Sequence, residues 1–125
     1  MKTQLTLTPN SIPESTPAMT EGMGAVVTFH GVVRGTEDGE LIRAIDYEAN
    51  EPMVRHQFEL IFAAIENQWP VESIHLIHRV GEVMVNDPSL RVEITAPHRA
   101  EAFAACQFLI DEMKRKVPIW KRVVR

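Results

Sequence analysis

The sequence has a single cysteine, few aromatic residues and no long apolar run. Cys106 alone forms no internal disulfide, which suits a reducing compartment. No stretch approaches the roughly 20 apolar residues needed to cross a bilayer, and residues 1–4 lack the apolar centre of a signal peptide. Aromatic residues make up only 6% of the chain, too few to interleave with cations along nucleic-acid bases. We therefore expect a cytoplasmic protein that binds neither membrane nor nucleic acid.

What the chain does have is charge separated along its length. Its 125 residues have a net charge of −4. The segment 114–125 contains six basic residues and no acidic one, whereas the first 113 residues carry the other seven against all 17 acidic ones, a difference of −10. Positive charge gathered at one end of an acidic chain predicts an anion-binding segment.

The length and the ordinary apolar fraction of 45% predict one globular domain, 1–125. Within it we expect a variable strand and loop over 1–23 and a hinge and tail over 114–125. The expected strands are 4–8, 24–33, 41–48, 71–80, 83–85, 90–95 and 119–124.

Two segments have the three- and four-residue apolar spacing of amphipathic helices. The first begins at Pro52 and ends before Pro70, and the second begins near His98 and ends before Pro118. The apolar stripe expected in the first is Met53, Gln57, Leu60, Ile61, Ala64, Ile65 and Trp69. The stripe expected in the second is Ala102, Cys106, Leu109, Ile110, Met113 and Val117. Two helices between groups of strands favour an α+β sandwich over a doubly wound parallel sheet.

Two finer expectations concern the strands. We expect 24–33 to be buried and to pair with 41–48 as a hairpin, with Gly35 and Gly39 supplying positive φ in the turn. In 90–95 the alternation predicts that Arg91 and Glu93 face solvent.

The basic segment contains a hinge, Val-Pro-Ile-Trp, between Lys114 and Lys121. We expect Pro118 to turn the chain and Trp120 to anchor it, which would bring Lys121 back toward a partly desolvated Lys114. The alternative is a solvated cluster that complements the dipole at the helix end. Composition leaves both interpretations open.

Three other residues are candidates for binding an anion. His98 and Arg99 lie at the start of the second helix, where free N–H groups and the helix dipole favour negative charge. Arg34 follows a strand and precedes a turn, and the alternative for it is an ion pair with Glu37 or Asp38.

Metal and thiol chemistry have little support in the sequence. His75 and His78 are three residues apart in a strand, so they face opposite sides and cannot share a metal ion. Cys106 falls on an apolar helix stripe, which indicates core and not a nucleophile. We expect no metal site and no cofactor.

Five motifs in this order make the chain resemble the catalytic (large) subunit of molybdopterin synthase. They are Phe29–Arg34 (FHGVVR), Tyr47–Ala49 (YEA), His78–Gly81 (HRVG), Ala96–Phe103 (APHRAEAF) and Lys114–Lys121 (KRKVPIWK). The resemblance implies an α/β-hammerhead-like sandwich with an additional antiparallel sheet. It implies a sulfurtransferase of molybdenum cofactor biosynthesis that converts cyclic pyranopterin monophosphate to molybdopterin.

The resemblance also implies partners and roles. The sulfur donor is the C-terminal thiocarboxylate of a small ubiquitin-like subunit, and the assembly is a homodimer within a heterotetramer. Lys114 and Lys121 take the catalytic roles. The substrate-binding positions are Phe29, Val32, Val33, Arg34, His98, Arg99, Arg122 and Val123, although Val123 stands where the family commonly has an acidic residue.

Two other functions remain as alternatives. One is a non-catalytic binding module whose basic C-terminal tail holds RNA or an acidic protein partner. The other is a structural dimer that docks the partner but has lost its site. Both differ from the sulfurtransferase in requiring no convergence of Lys114 and Lys121.

Overall fold

The computed structural model describes residues 1–15, 17 and 19–125. Its elements in chain order are β1 (Lys2–Thr8), β2 (Ala25–Val32), β3 (Thr36–Glu37), β4 (Glu40–Leu41), β5 (Ala44–Ala49), α1 (Glu51–Gln68), β6 (Ser73–Arg79), β7 (Gly81–Met84), β8 (Pro88–Ala96), α2 (Arg99–Lys116) and β9 (Ile119–Val124). The predicted loop over 9–23 contains no helix or strand among its described residues. Neither helix is long and apolar enough to span a bilayer.

The larger sheet has the strand order β1-β6-β8-β2, with β1 parallel to β6 and the other pairs antiparallel. Its inner face carries alternate apolar residues, such as Ile74 and Leu76 of β6 and Val92 and Ile94 of β8, all fully buried. Both helices pack on that face, and their buried residues complete the main core. The period-two apolar residues of the strands and the apolar residues of the two helices therefore form one core.

A second sheet, β7-β5-β9, is entirely antiparallel. It has its own small core of Val33, Ile42, Ile45 and Val83. The predicted α+β class, with two long helices and an additional antiparallel sheet, is confirmed. The helices have 18 residues each.

The predicted hairpin between 24–33 and 41–48 is wrong. β2 pairs with β8, from Ala25 opposite Ala96 to Val32 opposite Pro88, and β5 belongs to the other sheet. The central strand β8 needs a partner on each side to satisfy its buried backbone groups, and β2 supplies one. β2 is consequently an edge strand and only partly buried, not a buried one.

The turn expected over 34–40 is itself a small hairpin formed by β3 and β4. Positive φ occurs at Asp38 (52°) and Gly39 (79°), whereas Gly35 is not in that region. Aspartate tolerates the left-handed conformation better than most residues, so the tip does not require a second glycine.

The solvent exposure predicted for Arg91 and Glu93 is also wrong. Their side chains do lie on the face opposite the main core, but they are only 3% and 6% exposed. The N-terminal segment crosses this face, and Arg91 donates a hydrogen bond to the backbone carbonyl of Pro13. Alternation identified the correct face, yet it contains no information about a distant segment that covers it.

The apolar stripe predicted for α1 is displaced. The buried residues are Val54, Phe58, Ile61, Phe62 and Ile65, whereas Met53 and Leu60 are exposed. The displaced stripe buries both phenylalanines, whose rings stack with centroids 5.8 Å apart. Aromatic side chains bury the most apolar area and so determine which face turns inward. In α2 the prediction is better, since Ala102, Cys106 and Leu109 are buried.

Gly24 permits the close approach of β2 to the segment before α2, and this can be tested. A Cβ atom added at Gly24 would lie 2.5 Å from the carbonyl oxygen of Pro97. Because backbone must shift to relieve that contact, we expect Gly24→Ala to lower the free energy of unfolding by about 1–3 kcal/mol. Urea denaturation measures it. Gly22→Ala is the matched control, since nothing lies within 4 Å of its added Cβ, and equal effects of the two substitutions would refute the steric explanation.

Candidate functional site

A cavity of about 260 Å³ lies where the two sheets meet the C-terminal part of α2. The edge strand β2 contributes Phe29 and Val32, β5 contributes Tyr47 and β6 contributes His78. Apolar side chains of β8 and α2, including Leu90, Ile110 and Met113, form much of the remaining wall. The cavity therefore has an apolar lining with a few polar groups, as small-ligand sites usually do.

Lys114 and Lys121 both line this cavity. The helix α2 ends where the N–H of Val117 donates to the Met113 carbonyl at 3.0 Å, and the N–H of Ile119 then donates to the Val117 carbonyl at 2.9 Å. This tight turn reverses the chain into β9, in which Lys121 lies directly opposite Tyr47 of β5. The structure thus brings the two lysines to one place.

Two details of the expected hinge are wrong. Trp120 is 56% exposed and does not anchor the chain. The anchors are Val117, which is buried in the main core, and Ile119, which packs against it. Lys114 is exposed and not partly desolvated, because it lies on the side of α2 that opens into the cavity.

The cations of the tail divide into two sets. Four of the six form ion pairs with acidic side chains: Arg115 and Lys116 with Glu112, Arg122 with Asp46, and Arg125 with Glu40. Within the described part of the chain, the two that form no ion pair are the cavity lysines. Three carboxylates thus pair with four of the tail cations at the surface, and Lys114 and Lys121 remain available to a ligand.

Other predicted binding residues lie at varying distances from the lysines. Phe29 and Val32 line the cavity, but Val33 is buried in the second core. Arg34 is exposed, does not line the cavity and, among described residues, has no ion pair with Glu37 or Asp38. These placements leave the binding roles as predictions.

Arg122 and Val123 flank Lys121 in β9 but have different surroundings. Arg122 lies on the opposite face of the strand, where its guanidinium is 3.0 Å from the carboxylate of Asp46. Val123 lies opposite Ile45 and packs against the second core. Neither side chain lines the cavity.

His98 and Arg99 lie at the other end of α2 from Lys114. At 1.5 Å per residue, Arg99 and Lys114 are about 22 Å apart along the helix axis. The backbone N–H of His98 donates to the Glu101 carboxylate at 3.0 Å, and its Nδ1 is 3.1 Å from the same carboxylate. One chain alone therefore does not place these two residues at the lysine cavity.

His78 lines the cavity, although from the sequence it had no predicted binding role and was named only as the first residue of the HRVG motif. It is 5% exposed, and its ring meets that of Tyr47 edge-on with centroids 5.1 Å apart. Burial lowers the pKa of His78, and the hydrogen bond to the Arg79 carbonyl partly opposes the shift. The available signal was its period-two spacing from Ile74 and Leu76. No group of His, Cys, Asp or Glu in the described residues is arranged to hold a metal ion.

Taken together, the fold and the site define an α+β protein with two main sheets and a largely apolar cavity that two lysines line. The chain belongs to the MoaE protein family, whose pattern it matches over residues 5–116. That match includes both helices, the strands β2 to β8 and the second half of β1.

Individual relatives agree with this assignment. The chain is 44% identical over 100 residues to the molybdopterin synthase catalytic subunit of Nostoc sp., covering 79% of this chain and 61% of the relative. It spans 51% of the length of the Arabidopsis thaliana relative. The crystal structure of molybdopterin synthase from Staphylococcus aureus superposes with a TM-score of 0.80 at 33% identity, covering 85% of this chain and 77% of that one.

A further solved structure shows the same fold at lower identity. It is a complex of subunits 1 and 2 of molybdopterin-converting factor from Helicobacter pylori. Its TM-score is 0.70 at 24% identity, with 82% of this chain and 67% of that chain covered.

The neutral state of buried His78 predicts how stability depends on pH. Its pKa lies below the ordinary 6.5, so as the pH falls below 6.5 the unfolded chain binds a proton that the folded chain does not. Stability is then full above pH 6.5 and falls toward the lower folded-state pKa, by up to about 1.4 kcal/mol per pH unit. Urea denaturation between pH 7.5 and 5 measures this slope.

His78→Gln should flatten that slope, because glutamine does not titrate. His75 makes a separate contribution of the same sign, since burial and then the charge of Arg91 lower its pKa while Glu93 raises it. Water reaches His75 more readily, so His75→Gln should flatten the slope less. An unchanged slope in His78→Gln would contradict a buried neutral imidazole.

Proposed function

We propose that this chain is the catalytic subunit of a molybdopterin synthase. It transfers two sulfurs to cyclic pyranopterin monophosphate, one from the C-terminal thiocarboxylate of each of two small ubiquitin-like sulfur-carrier subunits, and so forms the dithiolene of molybdopterin. Water releases each carrier with its C-terminus as a carboxylate. The observation that supports this best is that Lys114 and Lys121 line one cavity and form no ion pair with the described residues, whereas the other four cations of the tail each pair with a carboxylate.

The chemistry requires positive charge at this place. A phosphate and a thiocarboxylate are both anions, and an ammonium group docks each without itself being consumed. As sulfur attacks the pterin carbon, negative charge develops that a nearby lysine stabilises, and a lysine also supplies a proton to the opened ring. In our proposal Lys114 contacts the thiocarboxylate and the reacting carbon, while Lys121 steadies the phosphate or the thiolated intermediate.

The small subunit would deliver its C-terminal tail across β2. Phe29 and Val32 are large apolar residues that are exposed at the cavity rim, where they offer contact to an extended tail. The Helicobacter pylori complex provides a precedent for two different subunits assembled on this fold. Substrate and tail would then meet between the lysines.

The position of His98 and Arg99 supports the dimer in this proposal. Because they lie about 22 Å from Lys114 along α2, they can bind the same substrate only from a second copy of the chain. In our proposal the two-fold dimer brings the helix start of each copy to the lysine cavity of the other. Each site then has cations from two chains.

The RNA-binding alternative loses its main support in the structure. A basic tail that binds RNA needs cations free to meet phosphates, and their number sets the salt dependence. Four of the six cations here already pair with carboxylates of the chain itself.

Lys114→Ala tests the catalytic proposal. In single-turnover assays with a thiocarboxylated small subunit and the cyclic pterin, we expect sulfur transfer to slow by about 100-fold or more. Lys116→Ala is the matched control, since it removes the same charge two residues away where the side chain pairs with Glu112 at 2.9 Å. Near-normal transfer by Lys114→Ala, or no product from the folded native chain, would contradict the proposal.

A mixing experiment tests the shared site. Lys114→Ala and Arg99→Ala chains are each inactive in our proposal, but a mixed dimer contains one intact site. After unfolding and refolding together, equal amounts should recover about a quarter of the native activity, as expected for random pairing in a two-fold dimer. If both residues act within one chain, every site in the mixture carries a substitution and no activity returns.

A further inference from the structure

His78 occupies a place where an apolar residue would serve the fold. It follows Ile74 and Leu76 at period two in β6, so its side chain continues the row that faces the main core. The first two are essentially inaccessible, and His78 is only 5% exposed. The row ends at the junction of the two sheets, and there His78 lines the cavity.

The hydrogen bonds of the imidazole determine its tautomer. Nδ1 is 2.7 Å from the backbone carbonyl oxygen of Arg79. A carbonyl oxygen only accepts, so Nδ1 carries the hydrogen and donates it. Burial favours the neutral ring. Nε2 therefore carries a lone pair, and no described residue donates a hydrogen bond to it.

The groups around His78 are complementary to it. Tyr47 of β5 holds the ring edge-on, Lys121 of β9 lies opposite Tyr47, and Lys114 of α2 lines the same cavity. The adjacent strands β1 and β8 place Leu7 and Leu90 beside it, neither of which titrates. The cavity thus has two cationic donors, the hydroxyl groups of Tyr47 and Ser89, which can donate or accept, and one imidazole nitrogen that only accepts.

We propose that His78 is a substrate-binding residue whose Nε2 accepts a hydrogen bond from a ring N–H or hydroxyl group of the pterin, with Tyr47 fixing the orientation of the imidazole. This inference rests on the proposed function. The lysines recognise only the negative charge of a ligand, which a phosphate or a thiocarboxylate supplies equally well. An acceptor among them selects a ligand that also has a donor, and a pterin ring has several.

The test is steady-state kinetics of two variants with the cyclic pterin as varied substrate. His78→Phe keeps a ring against Tyr47 but has no acceptor, so KM should rise about tenfold with little change in kcat. His78→Gln restores an acceptor near the Nε2 position and should keep KM within about threefold of the native value.

The pH dependence separates binding from a structural role. Protonation of Nε2 abolishes the acceptor, so the native KM should rise as the pH falls through the folded-state pKa of His78, which burial places below the ordinary 6.5. His78→Gln does not titrate, and its KM should lack that rise. If His78→Phe does not fold, as judged by circular dichroism, the pH profile of His78→Gln alone decides.

The outcomes distinguish this inference from the function on which it rests. An unchanged KM in His78→Phe, or equal pH profiles of the native chain and His78→Gln, overturns the role of His78 while an active native chain upholds the function. A native chain that neither binds nor converts the pterin overturns both. A KM rise in His78→Phe with recovery and a flat profile in His78→Gln supports the role.

Discussion

The burial of Val117 at the end of α2 is the constraint on which the site depends. Its side chain belongs to the main core, and its backbone makes hydrogen bonds on both sides of the turn, to Met113 and from Ile119. Because the residue is held both by packing and by the backbone, the direction of β9 is fixed relative to α2. β9 in turn pairs with β5, which is the central strand of the second sheet. Displacing Val117 would therefore separate the two lysines and also the two sheets.

The positive charge at the cavity comes from two of the six cations of the tail, because the other four pair with carboxylates. Glu112, Asp46 and Glu40 each lie within reach of a tail cation, and the pairs they form are exposed and individually weak. These ion pairs add little to the free energy of unfolding, and their main effect is on the electrostatic potential around the tail. They reduce the field of the tail everywhere except at the cavity, so that an anion approaching this end of the molecule is attracted to two lysines and not to six cations. Among the cations of the tail, those without an ion pair in the described structure are therefore the two at the cavity.

How far the sequence predicts this structure depends on the range of the interactions involved. The hinge, the tail strand and the buried row of α2 follow from local pattern, and the convergence of Lys114 and Lys121 follows from the hinge. Two other features depend on residues far apart in the chain: β2 pairs with β8, and the segment at Pro13 covers Arg91. The apolar periodicity of a segment cannot predict such contacts, because it depends only on neighbouring residues. The position of His98 is a different case. The number of residues between His98 and Lys114 on one helix already shows, through the helical rise, that the two cannot share a site within a single chain.

His78 illustrates why a polar residue in a core row carries more information than the same residue on a surface. In an exposed histidine, water can form hydrogen bonds with both ring nitrogens, so neither nitrogen has a fixed role. In β6 the Arg79 carbonyl fixes one nitrogen as a donor, and the residue is only 5% exposed at the end of an apolar row that reaches the cavity. The core thus assigns the hydrogen-bonding role of the other nitrogen before any ligand arrives. The lysines carry full charge and differ little from each other, whereas this imidazole adds the directional group that charge alone does not provide.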